Sequence, residues 1–501
     1  MKVAVIGSGA AAAGVLAGLE HFAPRAVDVT VFDIGHRFGE VPAGLARDGF
    51  TRAQMSPLYR RLRAEHGLAF PPPKSHFGET IRKFAVGGKP RLWKSEHRGG
   101  LTNLWGGGMF PFPDRELAGW PVTAADLDRY YQIIAERVGV CGERDALNDF
   151  FTRDYVNRPP LRTSPVIEAL RDTTNRGGGD EAWRVLAGAS RLALETRRGL
   201  PRSCTYDGEC MLGCPREAIW SARLELDAYE RSLIARTVVG RVRRVEPGAV
   251  WYRDAAGTDH RAGPFDRIYV AAGCIGSSEI VMRSLGIARG PRMLDNAVVS
   301  FPIFYAGGAR AGEPGYFSLC NLSMMGIPAD PALATAQVSV YPAFDHLFRY
   351  YTPEPLWSAM RGLWRLGRWR VLLGRVFFAG AANRALELSL VDDELVIEHG
   401  PDPDTTPAAR AMAPSFMAAL RRAVNRDGFF IPPITPGGHA TSSHYAATFP
   451  YGGAVATARD GAVARGVHLA DASTFVTAPA ISPTFTIMAN ACRTVHESLL
   501  S

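Results

Sequence analysis

The chain has 501 residues, of which 21% are charged and 47% hydrophobic, the proportions of an ordinary globular protein. Its net charge is +8, but the 57 basic and 49 acidic residues are interspersed and no nucleic-acid recognition motif accompanies them, so we expect no nucleic-acid partner. No run of about eighteen apolar residues is present, so the sequence predicts no membrane-spanning helix.

The start of the chain and its cysteines bear on the compartment. The first residues, MKVAVIGSG, read directly as a strand and a glycine turn, without the regions of a signal peptide. Seven cysteines, an odd number in a large chain, do not resemble the disulfide framework of a secreted protein. We therefore expect a cytoplasmic location.

A glycine turn follows the first predicted strand. Residues 2–6 (KVAVI) form the short apolar run typical of a buried parallel strand, and they lead into GSGAAA, a GxGxxA spacing. Gly7 permits a tight turn, Gly9 lets a pyrophosphate approach the backbone, and Ala12 allows the next helix to pack closely. The turn indicates a dinucleotide site, although a turn of this kind also occurs in ordinary strand–helix connections.

A second predicted strand strengthens the dinucleotide interpretation. Residues 27–32 (VDVTVF) are followed by Asp33, whose carboxylate can accept hydrogen bonds from ribose hydroxyls. Strand, glycines, Ala-rich helix, second strand and acid occur in the order of a dinucleotide-binding unit. These residues alone do not separate FAD from NAD.

Three segments further along have recognisable patterns. Residues 99–107 read GGLTNLWGG, and residues 124–138 have the periodicity of an amphipathic helix. Residues 267–282 (RIYVAAGCIGSSEIVM) are typical of a strand, a turn and a helix. In residues 386–398, apolar and polar residues alternate on both sides of Asp392 and Asp393, a pattern that predicts a hairpin.

Residues 356–378 combine arginine with large apolar residues. At helical spacing an arginine face and an apolar stripe lie side by side, formed by Arg361, Arg365 and Arg368 and by Trp357, Met360, Trp364 and Val371. A covering helix with a solvated arginine face is one interpretation. Peripheral contact with a membrane surface or with a bulky apolar ligand is the other.

The last part of the chain carries a family resemblance. Residues 437–453 read GGHATSSHYAATFPYGG, followed by LADAS at 469–473 and SPTFT at 482–486. These segments resemble the HxxGTxxMG, VADAS and NPxxT motifs of the glucose-methanol-choline (GMC) family of FAD-dependent alcohol oxidoreductases. Residues 99–107 and 267–282 resemble that family's GGxSxHWGG and VILAAGAIGTPxLL segments. Ala447, Tyr451 and Ser482 depart from the pattern.

The resemblance implies an α/β fold with two domains, each discontinuous in sequence. A Rossmann-like FAD-binding domain would comprise residues 1–115, 216–300 and 431–501. An α+β substrate domain, built on an antiparallel sheet, would comprise residues 116–215 and 301–430 with its covering segments.

The resemblance also implies the cofactor and the residues that hold it. Those residues are Gly7, Gly9, Ala12, Asp33, Gly100, Thr102, Asn103, Leu104, Trp105, Gly106, Ala272, Gly273, Asp471, Ala472, Pro483 and Thr484. Leu104 takes the place of a histidine that binds the flavin covalently in some family members. We therefore expect noncovalent FAD.

The implied activity is oxidation of a C–OH group in a sugar, polyol or other alcohol, by hydride transfer to flavin N5. His444 occupies the position of the general base, since a neutral imidazole can accept the alcohol proton. His439 lacks the surrounding motif and is a supporting candidate. Ser482 stands where the family has Asn or His and offers one hydroxyl donor instead. Water filling the gap, a narrower pocket and a different reaction are all compatible with this serine.

Other functions remain open at this point. One is a tailoring flavoenzyme that performs desaturation, isomerisation or reduction, and another is a binding protein that keeps the flavoprotein fold without turnover. The electron acceptor is equally open among oxygen, a quinone and a cytochrome.

Cys204, Cys210 and Cys214 form a C-x5-C-x3-C-P cluster. It resembles the ligands of the three-iron cluster in bacterial FAD-dependent glucose dehydrogenases, while similar cysteine-rich segments occur in family members without metal. A three-iron cluster would carry electrons outward from the flavin, and on this ground we expect a dehydrogenase rather than an oxidase.

Overall fold

The computed structural model describes residues 1–23, 27–35, 81–86, 89–206, 208, 210, 214, 216–232, 234–308, 317–343, 354–400, 407–433, 440–455 and 458–501. His439 lies outside these residues. Among the helices described, none is long and apolar enough to cross a membrane.

The described residues form helices and strands in a mixed order. The α-helices are α1 (Ala10–Phe22), α2 (Ala124–Val138), α3 (Pro165–Gly177), α4 (Ala222–Arg231), α5 (Gly273–Leu285), α6 (Glu354–Gly367), α7 (Pro407–Val424) and α8 (Thr484–Leu500). The first strands are β1 (Lys2–Ile6), β2 (Asp28–Asp33), β3 (Ile81–Val86), β4 (Lys89–Ser95), β5 (Trp183–Ala189), β6 (Ala235–Val239), β7 (Arg241–Glu246), β8 (Ala249–Arg253), β9 (Asp259–Ala262) and β10 (Arg267–Val270). The later strands are β11 (Arg289–Met293), β12 (Ala297–Tyr305), β13 (Leu322–Pro328), β14 (Ala336–Pro342), β15 (Val371–Phe378), β16 (Leu386–Val391), β17 (Glu394–His399), β18 (Phe429–Phe430), β19 (Ala440–Thr441), β20 (Ala462–Ala464) and β21 (Val467–Leu469).

A largely parallel sheet joins the two ends of the chain. In the part of the chain that the structure describes, its strand order is β20-β21-β10-β1-β2-β6. The central strand, β1, pairs in parallel with β2 and with β10, and β10 pairs in parallel with β21. Only the first residue of β1 is exposed, because helices cover both faces of such a sheet.

An antiparallel sheet forms the second layer. Its described strands run in the order β18-β12-β15-β14-β13-β5, and β19 pairs with β12. The α3 and α7 helices cover one face, where Phe416 and Leu420 pack among the strand side chains. The boundary expected at residue 300 falls within β12, and the division into domains stays a prediction.

Two glycines bring the first and last helices into close contact. A Cβ at Gly14 would lie 2.4 Å from the Met488 carbonyl oxygen, and one at Gly18 would lie 2.9 Å from Val495 Cβ. The α1 and α8 backbones therefore approach more closely than larger residues would permit. This contact fixes the C-terminal segment against the first glycine turn.

Residues 356–378 are not one helix. The helix ends at Gly367, and β15 begins at Val371 and pairs with β12 on one side and β14 on the other. The helical spacing of the arginines predicted that Val371 lies on a helix, and this prediction is wrong. Pairing with a strand on each side places Val371 in the antiparallel sheet instead. The hairpin predicted over 386–398 is confirmed as β16 and β17, with Asp392 and Asp393 in the left-handed region at its turn.

Candidate active site

One cavity lies between the parallel sheet and the antiparallel sheet and encloses about 460 Å³. Most of the residues predicted to bind cofactor or substrate line it, namely Gly7, Gly9, Asp33, Gly100, Thr102, Leu104, Trp105, Gly106, Ala272, Gly273, His444, Asp471, Ala472, Ser482, Pro483 and Thr484. Two do not. Ala12 is buried behind the wall among the strand side chains, and the amide of Asn103 binds the Arg98 carbonyl and the Ser221 hydroxyl.

The first glycine turn forms one end of the cavity. Gly7 has a φ of +105°, and a Cβ there would lie 2.5 Å from the Ala271 carbonyl oxygen. Gly9 is close to the loop that begins at residue 99, since a Cβ on Gly100 would lie 3.3 Å from the Gly9 Cα. The Gly99 N–H also donates to Ser8 Oγ at 3.0 Å. The turn and the loop therefore form one backbone-lined cradle, which suits the close approach of a pyrophosphate.

Asp471 links the C-terminal segment to α5. Its carboxylate accepts hydrogen bonds from the Ser277 hydroxyl and from the backbone and hydroxyl of Ser473. Burial raises the pKa of Asp471, although these bonds act in the opposite direction. The α8 helix begins nearby at Thr484, so its N-terminal N–H groups lie at the cavity wall.

His444 is oriented by a residue that the sequence did not reveal. Its Nδ1 lies 3.0 Å from Oδ1 of Asn296. The Asn296 amide nitrogen donates to three carbonyl oxygens, those of Phe378, Ala478 and Pro479, which fixes Oδ1 as the atom facing the imidazole. The Nδ1–H must therefore donate to Asn296, and Nε2 carries the lone pair. This is the tautomer that a general base requires.

Asp295 holds the segment that carries His444. Its carboxylate accepts from the backbone N–H groups of Ser442 and His444, both at 3.1 Å, and from the Ser442 hydroxyl. The side chain is fully enclosed, and burial raises its pKa to about 6. The adjacent pair Asp295 and Asn296 thus fixes both the backbone and the ring of His444.

The imidazole of His444 is neutral in this setting. It is half-buried and stacks on Phe377 with ring centroids 5.3 Å apart. Burial lowers its pKa to about 4, and the positive charge of Arg375 acts in the same direction. A proton acceptor is therefore present throughout the neutral range.

This pKa predicts how the rate of alcohol oxidation depends on pH. We expect an unchanged rate constant for flavin reduction between about pH 7 and pH 9, because His444 is already neutral there. At lower pH the rate should fall, first as Asp295 is protonated near 6 and then as His444 is protonated near 4. Stopped-flow absorbance with saturating alcohol measures this profile. A rate that climbs steadily from about pH 7 to pH 9 would contradict the assignment of a neutral base.

Ser482 lies in the same cavity wall and is tied to the antiparallel sheet. Its backbone N–H donates to Oε1 of Gln337 at 2.8 Å. Its hydroxyl makes no hydrogen bond with the residues that the structure describes, so it can donate to a bound molecule. Close to it, Gly108 leaves room that a side chain would fill, since a Cβ there would be 2.9 Å from Ser482 Oγ.

Ala447 adopts an unusual backbone conformation where the family pattern has glycine. Its φ is +68°, a region that glycine occupies without steric cost and alanine does not. The departure from the motif therefore keeps the same backbone path. Tyr451 is the second departure from the family pattern. Its hydroxyl accepts hydrogen bonds from the Asn490 amide and the Arg493 guanidinium, which places the side chain in the structural core.

The cysteine cluster gives no support for iron. Cys204, Cys210 and Cys214 pack with the buried Cys141 in one apolar cluster, and none of these four forms a disulfide. Within the described residues, which include these four, no group of three or more His, Cys, Asp or Glu side chains is arranged to hold a metal ion. Burial raises the pKa of the neighbouring Cys141 thiol to about 12.

Comparisons with known proteins identify the fold. No family profile and no curated sequence matches the chain. A pyridoxine 4-oxidase from Mesorbium loti matches in structure with a TM-score of 0.60 and 15% identity, over 100% of this chain and 99% of its own. A formate oxidase from Aspergillus oryzae matches with 0.59 and 12%, over 99% and 97%. An FAD-dependent oxidoreductase from Chaetomium thermophilum matches with 0.55 and 12%, over 99% and 98%. The three are GMC-type flavoenzymes, and this chain has the GMC oxidoreductase fold, with a Rossmann-like domain and an antiparallel sheet.

Proposed function

We propose that the protein is an FAD-dependent oxidoreductase that oxidises a C–OH group. One observation carries the proposal: the cavity that contains the glycine cradle at one end also contains His444, held by Asn296 as a neutral base, in its wall. A dinucleotide site and a proton acceptor in one cavity are the two parts that flavin-linked alcohol oxidation requires.

The cavity residues fit FAD. The Gly7 turn and the Gly9 to Gly100 contact leave room for a pyrophosphate, and Asp33 lies at the end of β2, where it can bind ribose hydroxyls. Thr484 would present the N-terminus of α8 to the ring system. Leu104 has no nucleophilic atom, which supports noncovalent binding.

His444, Asn296 and Ser482 each have a definite task in the reaction. When bound, FAD supplies the hydride acceptor. His444 Nε2 accepts the proton of the substrate hydroxyl, and Asn296 holds the ring and stabilises the imidazolium through Nδ1–H. The Ser482 hydroxyl donates a hydrogen bond to the substrate oxygen. Phe377 covers one face of the imidazole and excludes water from it.

The electron acceptor and the cellular compartment rest on less evidence than the cofactor and the base. The expectation of a dehydrogenase depended on the three-iron cluster, which the described cysteines do not support. Two of the compared structures are named oxidases. Oxygen, a quinone and a cytochrome are therefore to be compared directly as acceptors, and a cytoplasmic location stays a prediction. Of residues 356–378, only those in α6 remain candidates for peripheral membrane contact, because β15 is paired with a strand on each side.

The visible spectrum of the purified protein tests the proposal. We expect a flavin band that is bleached anaerobically by at least one member of an alcohol panel, and acid denaturation should release the flavin into solution. Flavin that stays with the precipitated chain would contradict noncovalent binding. A colourless protein that does not take up FAD would indicate the binding-protein alternative. A bound flavin reduced by no alcohol would favour desaturation, isomerisation or reduction instead.

A further inference from the structure

The positively charged side chain of Arg375 lies in the substrate part of the cavity. Arg375 is on β15, is half-buried and lines the cavity. Among the residues that the structure describes, no carboxylate forms an ion pair with it. A guanidinium that faces a cavity can bind an anionic group of a ligand through charge-assisted hydrogen bonds.

The four acidic residues that line the same cavity are engaged with other groups, and the first, Asp33, accepts a hydrogen bond from the backbone N–H of Gly35 at 2.7 Å. Glu96 binds Arg241 at 2.8 Å, and Glu279 binds Lys94 at 3.3 Å. Asp471 is held by serine hydroxyls, as described above. The charge of Arg375 is therefore available to a bound molecule.

Arg375 lies next to the proposed base. Alternate residues of β15 point to the same face, and Leu373, Arg375 and Phe377 all line the cavity. The Arg375 guanidinium carbon is 5.4 Å from the Phe377 ring centroid, and that ring stacks on His444. The cation and the imidazole therefore both contact the ring of Phe377, and both line the same cavity.

The neighbouring strand supplies hydrogen-bonding groups around this cation. In the register of β14 with β15, Ser339 is opposite Arg375 and Gln337 is opposite Phe377, while Tyr341 is opposite Leu373. All three β14 side chains line the cavity. Burial raises the pKa of the Tyr341 hydroxyl to about 12, and the nearby Arg375 opposes that rise. A cation surrounded by hydroxyl and amide groups is well suited to a planar carboxylate.

We propose that the substrate is a hydroxy acid and that Arg375 binds its carboxylate while His444 faces its hydroxyl. This inference rests on the proposed function and adds the class of substrate to it. The guanidinium offers two parallel N–H donors to a carboxylate, which fixes the orientation of the substrate as well as its affinity. Arg375 takes no part in the transfer of the proton or hydride.

Matched pairs of substrates test the proposal. Glycolate, lactate and 4-(hydroxymethyl)benzoate are compared with their primary amides in anaerobic flavin reduction. We expect at least one acid to be preferred over its amide. Arg375→Met should lower kcat/KM for that acid about 100-fold and leave the amide nearly unchanged, and Arg375→Lys should recover part of the loss. Arg292→Met, which removes the same charge from the exposed strand β11, is the control and should have no effect.

Binding gives a second measurement that does not depend on turnover. Benzoate, which has no hydroxyl to oxidise, should perturb the flavin spectrum of the wild-type holoenzyme and of Arg292→Met but not of Arg375→Met. Amides oxidised as well as acids, or an equal loss for both in Arg375→Met, would overturn the inference while leaving alcohol oxidation standing. Flavin that is reduced by neither acids nor amides, and by no other alcohol, would overturn the proposed function itself.

Discussion

The protein with His444→Ala is expected to bind FAD with its normal yellow colour and to lose flavin reduction by alcohol. The rate constant should fall by about 10²–10⁴-fold, the usual contribution of a general base. The loss follows from the removal of Nε2, since Asn296 holds the ring in the tautomer that leaves this atom free to accept a proton. Anaerobic stopped-flow absorbance measures the rate constant directly.

The control for this variant is His260→Ala. His260 is on β9 with a half-buried side chain, and it pairs with Asp254 rather than with any residue of the active-site cavity. Its loss should leave the rate unchanged. If His444→Ala reduces its flavin as fast as the wild type, the base is another group and the role given to Asn296 is wrong.

Gly7→Ala and Gly9→Ala should have different effects, the first on the stability of the fold and the second on FAD binding. Gly7→Ala combines an unfavourable φ of +105° with a Cβ placed 2.5 Å from a backbone oxygen. Strain and overpacking together should lower the free energy of unfolding by about 2–5 kcal/mol even without cofactor. Gly9→Ala has an ordinary φ of −83°, and its nearest contact is 4.0 Å away. Its apoprotein should therefore be as stable as the wild type.

The consequences for FAD should distinguish the two glycines. In Gly9→Ala the added methyl group occupies the cradle 4.0 Å from the Gly99 carbonyl oxygen, so the Kd for FAD should rise about tenfold or more. Thermal unfolding of the apoproteins by circular dichroism, together with FAD titration by fluorescence, separates stability from affinity. If FAD binds Gly9→Ala with unchanged affinity, the cradle does not hold the pyrophosphate.

Local patterns were sufficient to predict much of the fold. β1 and α2 occupy the residues predicted for them, because a short apolar run and an amphipathic period are each decided by their own residues. The exception is residues 371–378. The helical period of the preceding arginines extends to Val371, and only pairing with β12 and β14, which are distant in sequence, makes this segment a strand.

Only the part of the candidate site that lies in the C-terminal motifs was predicted from the sequence. The motifs led to His444 and Ser482 because these lie within patterned segments. Asn296 is 148 residues from His444 in sequence and has no motif around it, so its contact depends on how the two layers assemble. Arg375 was read only as part of the basic stretch, and its exposure to the cavity is set by the register of β15.

A deuterium isotope effect on flavin reduction tests the central claim most directly. The alcohol that reduces the flavin fastest would be prepared with deuterium on its carbinol carbon and mixed anaerobically with the holoenzyme. We predict that the flavin band bleaches several-fold more slowly with the deuterated alcohol, because the C–H bond breaks in the step that reduces the flavin. Failure of the flavin to bleach with any alcohol would contradict the claim that this protein oxidises a C–OH group.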